Sequence, residues 1–109
     1  MSPVRRYQVY RVGLDPTRGS EMRKARPCVV VSPDEMNRHI RTVIIAPLTS
    51  RRREYPTRVD LTFQGQEGQV VLDQIRTVDR SRLLEHLGSL PEATARQVAS
   101  ILQEMFAYG

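Results

Sequence analysis

Residues 23–33 read RKARPCVVVSP, in which three positive charges lead through a proline into an apolar run and a second proline. The run at 28–32 is too short for a helix and rich in valine, so it reads as a strand buried on both faces. Arg26 stands at its mouth. A cation in that place is either a solvated charge where a strand begins or a guanidinium held by a rigid strand so that it can meet a phosphate.

Outward from this strand the chain is punctuated at short intervals. Residues 7–12 (YQVYRV) alternate as a half-buried strand does. The polar stretch 13–25 carries Gly13, Pro16 and Gly19, and a connection of that length is a candidate for substrate contact. After the valine run, Ser32-Pro33-Asp34-Glu35 predicts a helix start, with Ser32 as N-cap and Glu35 closing a capping box. Residues 42–47 (TVIIAP) form another strand, and 57–63 alternate again. Residues 64–68 (QGQEG) predict a hairpin turn in which Gly65 and Gly68 are free to take positive φ. A strand over 69–73 continues toward Val78. Asp79 is then expected to cap a short helix over 80–87 that Gly88 ends. Pro91 opens the last element, where Ala95, Val98, Leu102, Met105 and Phe106 recur at helical spacing.

Five or six short strands followed by an amphipathic helix predict an α+β, mainly β fold: a small, strongly bent barrel with short helices, covered by the C-terminal helix. At 109 residues, 1–109 is expected to be one domain. Ile101 widens the apolar stripe of the last helix, and a homodimer is the economical way to bury the excess.

Composition narrows the chemistry. The chain is 39% hydrophobic and 27% charged, which is globular rather than disordered. It has no apolar run near the roughly 20 residues of a membrane span, and MSPVRR leads into no signal-peptide core, so a cytoplasmic, membrane-free protein is expected. The net charge is +5, and every basic residue except Lys24 is arginine. Arginine pairs with phosphate in bidentate fashion and stacks on bases, which points to a nucleic-acid partner. Cys28 is the single cysteine and reads as a small core residue. His39 and His86 are isolated surface positions, and with no clustered ligands or nucleotide-binding loop, neither a metal nor a cofactor is expected. What remains is arginines, hydroxyls and isolated carboxylates. That inventory suits chemistry whose main demand is positioning and stabilising negative charge, as in RNA cleavage by its own 2′-hydroxyl.

The blocks LDPTRGSE (14–21), RPCVVVSPDEMN (26–37), APLTS (46–50), YPTRV (55–59) and GQVVLDQIRTVDRSRL (68–83) resemble, in order and spacing, the MazF/PemK family of toxin endoribonucleases. The resemblance implies an SH3-like, CcdB/MazF-type barrel, homodimerisation, metal-independent and sequence-specific cutting of single-stranded RNA, and neutralisation by a cognate acidic antitoxin. It places the family's catalytic arginine at Arg26 and its hydroxyl at Thr49. It implies RNA contacts at Ser20, Glu21, Ser50, Arg51, Tyr55, Gln74 and Arg76. Physically, a guanidinium at a strand edge can stabilise the charge that grows on a pentacoordinate phosphorus, and the neighbouring hydroxyl can align the attacking oxygen. Cleavage of that kind leaves a 2′,3′-cyclic phosphate and a 5′-hydroxyl.

Two other readings compete. One is a CcdB-like gyrase-binding toxin without nuclease activity, which depends on an aromatic tail containing Trp; this chain has no Trp and ends Ala107-Tyr108-Gly109. The other is a non-catalytic RNA-binding regulator.

Overall fold

The computed structural model describes residues 3–14 and 25–109. In chain order they form β1 (Gln8–Val12), β2 (Arg26–Val30), α1 (Asp34–His39), β3 (Thr42–Thr49), β4 (Arg58–Phe63), β5 (Gln66–Val71), β6 (Arg76–Asp79), β7 (Leu83–Ser89) and α2 (Glu92–Met105). The strands join in the order β4-β5-β3-β2-β1-β7, with β6 also paired to β3.

The valine run of β2 is continuous because both of its faces are buried. Cys28 and Val30 belong to one apolar cluster with Val12, Val43, Ile45 and Val78, whereas Val29 and Val31 belong to a second with Val9, Ala46, Leu48 and Leu72. Period-2 alternation thus feeds two small cores on opposite sides of one strand. The second core is roofed by α2, whose Ala95 and Val98 are buried and whose Ile101, Leu102 and Met105 pack against it in part.

Curvature comes from β3. Its first half pairs with β6, from Thr42↔Asp79 to Ile45↔Arg76, and its last residues pair with β5 through Leu48↔Val70 and Thr49↔Gln69. A single 3-10 turn, Leu72–Gln74, separates the two partners. One edge of β3 is therefore shared by two strands that diverge, and the sheet curls into a mostly β half-barrel.

Three local expectations are corrected. Residues 80–87 are not a helix: Asp79 does cap, accepting from the Ser81 N–H, but only a 3-10 turn at Arg80–Arg82 follows before β7 begins. The open edge of β1 takes β7 as its partner, with Arg11↔Glu85 and Tyr10↔His86 in register, and this long-range pairing overrides the local helix signal. Gly88, expected to end a helix, is paired with Val9 inside that strand. Ser32 is not the N-cap of α1; Pro33 is, without a side-chain cap. The Ser32 hydroxyl instead donates to Asn37 Oδ1 at 2.6 Å and accepts from the Ile44 N–H at 3.0 Å, tying α1 to β3 from a buried position. The hairpin turn is only Gln64-Gly65, both at positive φ, while Gly68 lies within β5.

Candidate active site

Arg26 opens β2 and Thr49 closes β3. The register of the two strands runs Cys28↔Pro47, Val29↔Ala46, Val30↔Ile45. Continued by two residues, it sets Arg26 opposite Thr49. Arg26 is exposed, and the backbone beneath it is fixed by the buried Cys28, whose thiol donates to the Arg26 carbonyl at 3.6 Å. Burial pushes the Cys28 thiol up to about 12 despite the opposing charges of Arg26 and Arg76, so the sulfur is a protonated core atom and no nucleophile.

Thr49 is set with equal care. Its Oγ1 accepts from the Arg51 N–H at 3.1 Å, which leaves its own O–H to donate outward. Its carbonyl lies against Gly68, where a Cβ would come within 2.3 Å of the oxygen. Only glycine admits this approach, and it holds Thr49 close against β5.

Two concavities meet at this pair. The larger, about 690 Å³, is bounded by Arg26, Thr49, Ser50 and Arg51 together with Leu61, Phe63 and Leu87. The smaller, about 390 Å³, is bounded by Arg26, Thr49 and Arg51 again, with Arg53, Arg58 and Gln74. They form one groove with a ridge at Arg26, Thr49 and Arg51. Among the described residues, no carboxylate lies within ion-pair distance of Arg26, Arg51 or Arg53, so three uncompensated guanidinium groups face the same space. A polyanion is the natural complement of such a field.

Of the residues singled out from the sequence, Arg26, Thr49, Ser50, Arg51 and Gln74 are brought together. Tyr55 and Arg76 stand outside both concavities: Tyr55 is half exposed with the Arg58 guanidinium 5.0 Å from its ring centre, and Arg76 is exposed on β6 opposite Ile45. Ser20 and Glu21 lie outside the described residues. His39 and His86 line neither of these concavities and are bonded to the carbonyls of Glu35 and Gly88 respectively. Among the described residues, no three His, Cys, Asp or Glu side chains are grouped to hold a metal, and no helix is long and apolar enough to cross a membrane.

Sequence reasoning missed the supports. Gln69 is buried, and its amide makes three bonds: Oε1 accepts from the Arg53 N–H at 3.0 Å, and Nε2 donates to the Arg53 carbonyl and to Asp60 Oδ1, each at 2.9 Å. It clamps the arginine loop to the sheet. The bond from Gln69, followed by the Arg52 charge, holds the Asp60 carboxyl below its ordinary range. Arg58 is fixed in turn by Asp73, at 2.9 and 3.4 Å, and this hydrogen bond leads the causes that lower the Asp73 carboxyl. A glutamine set in the apolar run GQVVLD was the one available signal for the clamp.

Comparisons with known proteins give the family and the fold. Residues 5–106 match the profile of the PemK-like, MazF-like toxins of type II toxin-antitoxin systems. Among solved structures, an endoribonuclease from Mycobacterial species is similar at 29% identity and a TM-score of 0.80, over 100% of this chain and 98% of that one. An endoribonuclease in complex with its cognate antitoxin, also from Mycobacterial species, gives 29% and 0.81 over 97% and 99%. MazF from Deinococcus radiodurans gives 28% and 0.80 over 99% and 100%. With nearly its whole length matched and a bent, helix-covered sheet in common, this chain belongs to the PemK-like, MazF-like toxins of type II toxin-antitoxin systems.

Proposed function

We propose that this chain, a MazF-type endoribonuclease toxin, cuts single-stranded RNA at short sequence motifs without a metal ion. The 2′-oxygen of the substrate attacks the adjacent phosphorus as its proton is removed, and the bond to the 5′-oxygen breaks as that oxygen gains a proton. The products are a 2′,3′-cyclic phosphate and a 5′-hydroxyl end. Arg26 stabilises the charge on the non-bridging oxygens of the pentacoordinate transition state, and the Thr49 hydroxyl donates to the same phosphate and aligns it. Because the nucleophile belongs to the substrate, the protein's task is geometric and electrostatic.

The observation that carries this reading is the convergence of Arg26 and Thr49 on the ridge of a groove with uncompensated arginines. Ser50, Arg51 and Gln74 are its RNA contacts, with Tyr55 and Arg76 at the margins and Ser20 and Glu21 on the 13–25 connection. The CcdB-like and purely RNA-binding readings are disfavoured by the family match and by neighbours named as endoribonucleases. The same basic groove suits an acidic, disordered antitoxin segment, which folds on binding and blocks RNA by competition; a structural neighbour was solved with its cognate antitoxin. Self-association as a homodimer buries the apolar end of α2, where Phe106 is 68% exposed.

The test is cleavage of a long unstructured RNA by the purified protein in excess EDTA, beside Arg26→Ala. Cuts at one motif, bearing 2′,3′-cyclic phosphate and absent in the variant, support the proposal. Intact RNA from folded, antitoxin-free wild type overturns it.

A further inference from the structure

The two lobes of the groove share their ridge and Leu48 and differ in their outer walls. The smaller lobe adds Arg53, Arg58 and Gln74 beside Leu14, Pro47 and Val71, with Arg58 paired to Asp73. The larger adds an apolar floor of Leu61, Phe63 and Leu87, with Gln66 at its rim. Phosphate has no use for an apolar floor, whereas the face of a base does.

The floor lies where the barrel fails to close. β4 and β7 are the two ends of the sheet order and are not hydrogen-bonded to each other as strands. Across this seam the Phe63 ring packs on the Gly88 backbone, where a Cβ would stand 3.2 Å from it, and the Gln64 amide, in the turn after β4, donates to the Leu87 carbonyl at 2.9 Å. The cleft at this seam is therefore built in advance, with an aromatic ring fixed in its wall. Gln66 is exposed and its amide has no partner among the described residues, while its neighbour Glu67 is engaged by Arg52 at 3.3 Å. An amide offers one acceptor and two donors, the complement of a base edge.

We infer that the seam between β4 and β7 is a nucleobase pocket, which takes the base of a nucleotide adjoining the scissile phosphate onto the Leu61, Phe63 and Leu87 floor and reads its edge through the Gln66 amide. The opposite lobe, with Arg53 unpaired among the described residues, holds the continuing backbone. This assignment rests on the proposed cleavage at Arg26 and adds which side of the ridge takes a base and which takes the backbone.

The experiment uses the full chain and an RNA pool with a randomised segment, with the new 5′-hydroxyl ends sequenced for wild type, Gln66→Ala, Gln66→Glu and Arg53→Ala. Gln66→Ala is expected to relax the preference at one position beside the cut by roughly three- to tenfold, the worth of one hydrogen bond, and leave the other positions unchanged. Gln66→Glu, which only accepts, is expected to shift that position toward a base presenting an amino group. Arg53→Ala is expected to weaken all sequences alike and lower the salt slope by about one, with the motif intact. An unchanged motif in both Gln66 variants, or a change in their dimer dissociation in its place, overturns the pocket while the nuclease stands. Absence of cutting by wild type overturns the nuclease and the pocket with it.

Discussion

Gly68 and the Thr49 carbonyl oxygen are in direct contact across β5 and β3, so close that a methyl group at residue 68 would come within 2.3 Å of the oxygen. A residue without a side chain thereby fixes the one that presents a hydroxyl to the groove. Gly68→Ala must move Thr49. It is expected to cost about 1–3 kcal/mol of stability by overpacking, and to lower kcat more than the lost folded fraction explains. Thermal unfolding and single-turnover cleavage on the same sample separate the two; wild-type kcat with wild-type melting would refute the coupling.

Gln69 positions and does not touch the reacting atoms. Gln69→Leu strands the Arg53 backbone and removes a donor from Asp60, at a cost of about 1–3 kcal/mol. The released arginine loop should raise KM by more than it lowers kcat and should flatten the dependence of KM on salt. A variant with unchanged KM and only a lower melting temperature would reduce Gln69 to a structural role.

Arg26 presents a planar fork, and a point charge is a poor substitute. Arg26→Ala is expected to lose about 10²–10³ in kcat, the scale of one preorganised transition-state donor. Arg26→Lys should recover only part of it, with melting unchanged in both because the side chain is exposed. Full activity in Arg26→Lys would show that charge alone suffices.

Acid should weaken the fold through Asp73. Its carboxyl is lowered first by the hydrogen bond from Arg58 and then by that from Thr57. A group lowered in the folded state contributes stability above its unfolded value, about 3.9, and loses it as pH falls through the folded value. Urea midpoints are expected to hold from pH 7 to about 5 and to fall below about 4, with a shallower fall in Asp73→Asn. Parallel acid profiles would remove Asp73 from the account.

Cys28 gives the opposite signature. With its thiol raised to about 12 by burial, the unfolded chain ionises first, so this group draws down stability as pH climbs past about 8.5. Alkylation at pH 8 should label the protein only as fast as it opens. Rapid labelling of the native protein would contradict the buried assignment.

Much of this was legible in the residues. The valine run, the strand at 42–47 and the terminal helix declare themselves because burial imposes a local period on each. β7 does not, because the partner that makes it a strand lies 74 positions away, at Arg11 opposite Glu85. Gly68 read as a turn because its reason, the Thr49 carbonyl, comes from another strand. In the site, Arg26 and Thr49 stood in recognisable motif blocks. Gln69 also stood in such a block, but its role as a clamp was hidden because its partner Arg53 lies 16 residues back across a hairpin. What sequence conceals here is contact at a distance.

The shared edge of β3 also orders the birth of the protein. The β5 side of Thr49 stays unpaired until Gln69 exists, and the outer edge of β1 stays open until the chain reaches Ser89. A nascent polypeptide on the ribosome therefore carries Arg26 and Thr49 long before it carries the walls that aim them.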